Sequence, residues 1–139
     1  MDRRVSRTRT RSQRAGDAAE DIVAGHLADL GWIVLGRNVR LGREEVDLIG
    51  LDPGPPRAIV LVEVRWRARR DFGLPEETLG PRKRAHLRAA AGRLVEGGSL
   101  PEGKALPSGS IRIDLVAVEP PTREGGPPRL RHHRDVLSE

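Results

Sequence analysis

The chain of 139 residues contains no cysteine. That excludes a disulfide framework and every thiolate metal site, and it accords with a reducing cytoplasm. Tyrosine is absent too, and Trp32, Trp66 and Phe72 are the only large aromatic side chains. A single-strand binder built on an aromatic stacking platform is therefore not expected. No apolar run approaches the roughly 20 residues of a membrane span, and the opening MDRRVSRTRTRSQR lacks the apolar stretch of a secretory signal. A cytoplasmic protein with no membrane partner is predicted. There is no Gly-rich phosphate loop followed by Lys-Ser or Lys-Thr, no Ser/His/Asp or Cys/His nucleophile arrangement, and no small-molecule cofactor is expected.

What is abundant is arginine. Lys+Arg is 25 against 20 acids, for a net charge of +5 and a sequence pI near 11.0, and only Lys83 and Lys104 are lysines. A basic balance favours polyanions, because neutralising phosphates releases counterions, and the planar guanidinium suits phosphate oxygens. Arginine-biased codon usage accounts for the same composition equally well. Residues 1–14 hold six arginines and almost no apolar side chain. They read as a disordered basic arm, either tracking a phosphate backbone or simply solvated.

From Asp17 to Leu30 the apolar spacing is helical, with Ala19, Ile22, Val23, His26, Leu27 and Leu30 on one face. Asp17 and Glu20 form a capping pair and Gly31 supplies the stop. Trp32–Leu35 reads as a first strand, Glu45–Leu51 as a second and Ala58–Trp66 as a third, the last two joined by the turn Asp52-Pro53-Gly54-Pro55-Pro56 as an antiparallel hairpin. The run Ala58–Val62 predicts a strand covered on both faces. Pro81 opens a second helix with the stripe Leu87, Ala90, Ala91, Leu94 and Val95, and Gly97-Gly98 ends it. Ile111–Val118 is a fourth strand. Residues 119–139 are a Pro/Gly-rich connection with an edge strand over 130–137. The order α-β-β-β-α-β implies an α/β fold, a mixed sheet flanked by helices.

The chemistry concentrates in the hairpin. Alternation puts Glu45, Asp47 and Ile49 on one face of the second strand, and Ile59, Leu61, Glu63 and Arg65 on one face of the third. A very apolar strand thus abruptly presents an acid and a base. A buried carboxylate costs several kcal/mol unless paired or bound to a cation. With Asp47 on the neighbouring strand, a hard divalent cation is one occupant that satisfies both acids, and such a site polarises phosphodiesters. A plain salt bridge from Glu63 or Asp47 to Arg65 explains the same pattern without chemistry. Arg112 and Asp114, on one face of the fourth strand, read as a structural ion pair. His26 and His86 read as packed or solvated side chains, and His132-His133 point to opposite faces, a poor chelate.

The segments GDAAEDIVAGHLADLGWIVLGRN, GREEVDLIG, IVLVEVRWR, FGLPEETLGPRKRAHLRAAAGRL and IRIDLVAV follow one another in fixed order. Over residues 16–118 this arrangement resembles the YraN-type family of small uncharacterised bacterial proteins. The resemblance implies a restriction-endonuclease-like fold over 15–118. It also implies a nuclease-type centre of Glu20, Asp47 and Glu63, with Arg65 where the family pattern has lysine. Arginine stays protonated and cannot serve as a general base, but it can stabilise phosphate charge. Lys83, which also matches a family position, is a candidate for the missing ammonium or else a solvated helix residue.

The sequence therefore predicts a nucleic-acid-binding, nuclease-like protein acting on DNA or structured RNA with Mg²⁺ or Mn²⁺. Asp47 and Glu63, with Glu20, would hold the metal. Arg65, Arg67, Arg69, Arg70 and Lys83 would contact phosphates. The rival reading is a non-catalytic nucleic-acid-binding or adaptor protein on the same fold, and a third is a partner-binding scaffold whose arginines serve solubility.

Overall fold

In the computed structural model, residues 11–66 and 79–137 are described. Their order is α1 (Arg11–Asp29), β1 (Ile33–Leu41), β2 (Glu44–Asp52), β3 (Ala58–Trp66), α2 (Pro81–Gly97), a short 3-10 turn (Pro101–Gly103), β4 (Ser110–Glu119) and β5 (Arg129–His133). The strands form one sheet in the order β1-β2-β3-β4-β5. It is mixed: β3 and β4 run parallel, and every other neighbouring pair is antiparallel. This is the α/β architecture and element order that the sequence predicts, with a final edge strand that ends at His133 and not at Leu137.

Each face of the sheet carries one helix. On one side Ala19, Val23 and Leu27 of α1 pack with Trp32, Leu48, Val60, Val62, Val116 and Val118. On the other, Leu87, Ala90 and Leu94 of α2 pack with Val46, Ile49, Ile59, Leu61, Leu115 and Ala117. Ala58 through Val62 are buried without a break, as a strand covered on both faces requires. Each fully buried Leu or Ile contributes about 1.5–3 kcal/mol over an exposed one.

Local chemistry sets the ends. Gly31 takes a left-handed φ of 87°, and the Gly31 and Trp32 N–H groups donate to the carbonyls of Ala28 and Leu27 at 3.0 Å each. This paired closure stops α1 and turns Trp32 into the α1-side core beside Leu27. The Trp32 ring then lies on Gly50, where a Cβ would stand 2.9 Å from it. Pro81 occupies the first turn of α2, and Gly98, left-handed at φ 64°, donates to Leu94 O at its end.

Several sequence expectations change. Helix α1 starts at Arg11, six residues before Asp17, so residues 11–14 belong to the helix and not to a disordered arm. Asp17 and Glu20 consequently sit within it and do not cap it. Residues 1–10 lie outside the described residues. Strand β1 runs six residues past Leu35, because it pairs with β2 down to Leu41↔Glu44. Leu30 and Val95, read as parts of apolar stripes, are 45% and 55% exposed; Leu30 falls just beyond the end of α1 and Val95 in the last turn of α2. Among the described residues, no helix is long and apolar enough to cross a membrane.

Candidate functional site

The site forms where β2 leaves β3. Their pairing runs from Asp52↔Ala58 to Leu48↔Val62 and stops there, while β2 stays paired with β1 to the hairpin tip. Simple alternation fails at this point. Val46 and Ile49 both pack on the α2 side, and Leu48 packs on the α1 side. Opposite the break, Asn38 of β1 takes a left-handed φ of 50°, a conformation asparagine tolerates better than most residues. The β1–β2 hairpin thereby bends over α2. His86 of α2 holds the tip, pairing through Nδ1 with Glu44 and through Nε2 with the Glu45 carbonyl at 3.2 Å.

Asp47 fills the gap left by the broken ladder. Its Oδ2 accepts the Val64 backbone N–H at 2.8 Å, one residue beyond Glu63. Glu63 is itself buried, on the α2 side with Leu61. Lys83 Nζ, from the first turn of α2, lies 3.2 Å from Glu63 Oε2, and Arg65 Nε lies 3.4 Å from the same oxygen. Burial first, and then the Asp47 charge, push the Glu63 carboxyl above its ordinary range; Lys83 and Arg65 oppose this. Glu20, projecting from α1, is raised by burial and then by Asp47, against a hydrogen bond from Asn38 and the charge of Arg37. Arg37 donates to Asp21 at 2.6 Å and stands 3.9 Å from Glu20.

Asp47 is thus the charge felt by both other acids, and Arg65 and Lys83 meet at Glu63. Arg67, Arg69 and Arg70 lie outside the described residues. Asn38 was missed by sequence reasoning. Its signal is a turn-former, preceded by Gly36, inside a run that otherwise reads as a strand.

The donors at this break are hard carboxylate oxygens, the chemistry of Mg²⁺ or Mn²⁺. A carboxyl raised by a neighbouring acid, as Glu63 is by Asp47, is relieved by a cation that both share. Among the described residues, however, no three Asp, Glu or His side chains come together as a metal-holding group. The fit is therefore to a two-carboxylate arrangement, Asp47 with Glu63, of the kind that Mg²⁺ completes with water and substrate phosphate. Glu20 stands as an outlying acid. A cleft of about 360 Å³ includes Arg37 and Asn38 in its lining and so adjoins the break on the β1 side, and another of about 520 Å³ is lined by Leu41, Gly42, Arg93 and Ser99.

A second polar cluster occupies the α1 side. Asp114, fully buried, accepts from Arg112 Nε and Nη2 at 2.8 and 3.0 Å, from the Asp135 N–H at 2.9 Å and from His132 Nε2 at 2.9 Å. Arg112 also reaches Asp52 at 3.0 Å. His132 Nδ1 meets His26 Nε2 of α1 at 3.2 Å. Burial pulls Asp114 upward, but His132, Arg112 and the Asp135 amide outweigh it and hold the carboxyl below its usual value. The structure thus makes Arg112–Asp114 a structural ion pair, and it makes His26 and His132 partners.

Comparison with known proteins settles the family. The profile of the uncharacterised protein family UPF0102 matches residues 19–118. The chain belongs to UPF0102. This is the family of YraN-type proteins that the sequence blocks resemble. UPF0102 relatives include a protein of Dehalococcoides mccartyi, 32% identical over 127 residues, covering 91% of this chain and 95% of the relative. One of Anaeromyxobacter dehalogenans is 40% identical over 120 residues, covering 86% and 81%. One of Symbiobacterium thermophilum is 37% identical over 110 residues, covering 78% and 85%. The UPF0102 match takes in α1 from Ala19 through β4 to Val118, and with them Glu20, Asp47, Glu63, Arg65 and Lys83.

Proposed function

We propose that the protein binds DNA or structured RNA in the cytoplasm and hydrolyses phosphodiesters at the Asp47–Glu63 break with Mg²⁺ or Mn²⁺. The observation that carries this reading is the buried Glu63 carboxylate, set between the Asp47 charge and the two cations Lys83 and Arg65. Burial makes a carboxylate expensive, and two acids together make it more so. A fold keeps such a group at a cost in stability when the group has work to do. Asp47 and Glu63 would hold the cation, which supplies Lewis acidity toward a phosphodiester and toward water. Arg65 stays protonated, so its part is electrostatic, at a phosphate oxygen. Lys83 brings to Glu63 the ammonium that the family pattern places two residues along the strand.

The non-catalytic reading has its own support. Lys83 and Arg65 already neutralise Glu63, and three ligating acids do not converge among the described residues. Cleavage decides between the two. Linear, nicked and branched substrates are incubated with Mg²⁺, Mn²⁺ or chelator. Metal-dependent cleavage is expected, lowered by about 10²–10³ in Lys83→Met, the scale of removing one charge-stabilising donor. Arg65→Lys is expected to retain or raise activity, and Arg65→Ala to lower it. Cleavage absent from both wild type and Arg65→Lys, or unaffected by Asp47→Asn, overturns the catalytic reading and leaves the binding one.

A further inference from the structure

β5 lies wholly beyond the part of the chain that the family profile matches, residues 19–118. Its facing is fixed by register. Leu130 pairs with Val118 and His132 with Val116, and these turn toward α1. Arg129, Arg131 and His133 therefore turn to the α2 side, opposite Glu119, Ala117 and Leu115. On that side Ala117 is flanked by Arg65 of β3 and by Arg131 of β5. Arg65 in turn contacts Glu63. One sheet face thus runs from the acidic break to the β5 edge.

Three arginine nitrogens on this face share one property. Arg65 Nε, Arg129 Nη1 and Arg131 Nε are each buried and make no hydrogen bond among the described residues, the first of them standing 3.4 Å from Glu63 Oε2 as an ion pair. A buried donor left unmade costs about 1–3 kcal/mol, so a run of three on neighbouring strands asks for an acceptor. Arg131 Nη2 pairs with Glu119, which fixes its guanidinium but leaves Nε turned elsewhere. With the break included, the described residues here bring the four cations Arg65, Lys83, Arg129 and Arg131 and the three carboxylates Asp47, Glu63 and Glu119.

We infer that the α2-side face of β5, continuous with Arg65, is a ledge that grips the phosphate backbone of a duplex nucleic acid and leads it to the Asp47–Glu63 break. The inference rests on the nucleic-acid reading above and adds the element that does the gripping. Anionic oxygens in series would complete the hydrogen bonds that these three guanidinium groups leave unmade. The duplex is favoured over unstacked strands because, among the described residues, no tryptophan or phenylalanine shares this face, and His133 at the end of β5 brings a single imidazole. Trp32 packs on the α1 side, and Trp66 alternates with Arg65 away from it.

The test is the salt dependence of binding, read by fluorescence anisotropy with the full chain and a short duplex DNA. Arg129→Gln removes one cation. The double variant Arg131→Gln/Glu119→Gln removes Arg131 together with the carboxylate it pairs with, and thermal melting checks that both variants fold. The slope of log K against log salt should flatten by about 0.9 for each phosphate no longer neutralised, so Arg129→Gln and the double variant should each show that change. Binding by wild type with the slope unchanged in both variants overturns the ledge and leaves the nuclease reading intact. Flattening confined to single-stranded DNA overturns the duplex assignment. Failure of wild type to bind any nucleic acid at low salt overturns both readings together.

Discussion

Asp47 puts one carboxylate to two uses. Its Oδ2 replaces a ladder acceptor for Val64, and its charge lifts both Glu20 and Glu63. The two uses separate by substitution. Asn keeps an oxygen for the Val64 N–H and removes the charge, while Ala removes both. Asp47→Asn is expected to leave urea-unfolding stability within about 0.5 kcal/mol, the scale of substitutions that spare a structural hydrogen bond. Asp47→Ala should cost about 1–3 kcal/mol for the orphaned amide. Equal destabilisation in both variants would show that the Val64 bond is not what holds β2 against β3.

At the scale of elements, α1 is locked to β4 and β5 through the chain His26–His132–Asp114. Burial, then the neighbouring His132, keeps His26 below the ordinary imidazole range. The folded protein therefore holds His26 neutral where the unfolded chain takes a proton, and stability is lost as pH falls below about 6.5. Other groups facing this contact are Asp29 of α1 and Arg134 after β5. Asp114, held low, contributes stability above its unfolded pKa and loses it only further down, below the carboxylate range. Melting temperature should thus drop in two stages on acidification, and His26→Gln should remove the first. A wild-type profile flat between pH 7 and 5, or a first stage surviving in His26→Gln, counts against this account. This lock was hidden from the sequence because its two histidines are 106 positions apart and neither shows a partner locally. Strands β2, β3 and β4 and helix α2 were legible, since periodic apolar patterns and glycine or proline boundaries are local signals. The break at Asp47 was not. Alternation presumes a regular strand, and only the meeting of three strands reveals that β2 departs at Leu48.

For the whole molecule the question is where its net charge of +5 acts. The first ten residues carry four arginines, whereas residues 11–14 are helical. A truncation that tests the arm should therefore stop at residue 10 and leave α1 whole. If the arm touches phosphates, its removal flattens the salt slope for duplex DNA by about 0.9 for each phosphate it had neutralised, without changing the melting temperature. An unchanged slope assigns the binding charge to the sheet face and α2. A lowered melting temperature would show the arm to be part of the fold.

The connectivity of the sheet also has a consequence in time. β1, β2 and β3 are successive antiparallel neighbours, whereas β4 joins β3 in parallel only after the chain has passed through α2. Short loops close sooner than long ones, so the three-stranded meander is the expected nucleus and β4 the late arrival. Asp47 and Val64 would then meet early, and Lys83 would reach Glu63 only as the crossover docks. In chevron kinetics, Val46→Ala should mainly slow refolding, and Val116→Ala should mainly hasten unfolding. The reverse pattern would place the nucleus in the parallel pair. In the expected order, a newly made chain holds Asp47 and Glu63 together with Arg65 alone to calm them, until the Lys83 ammonium arrives.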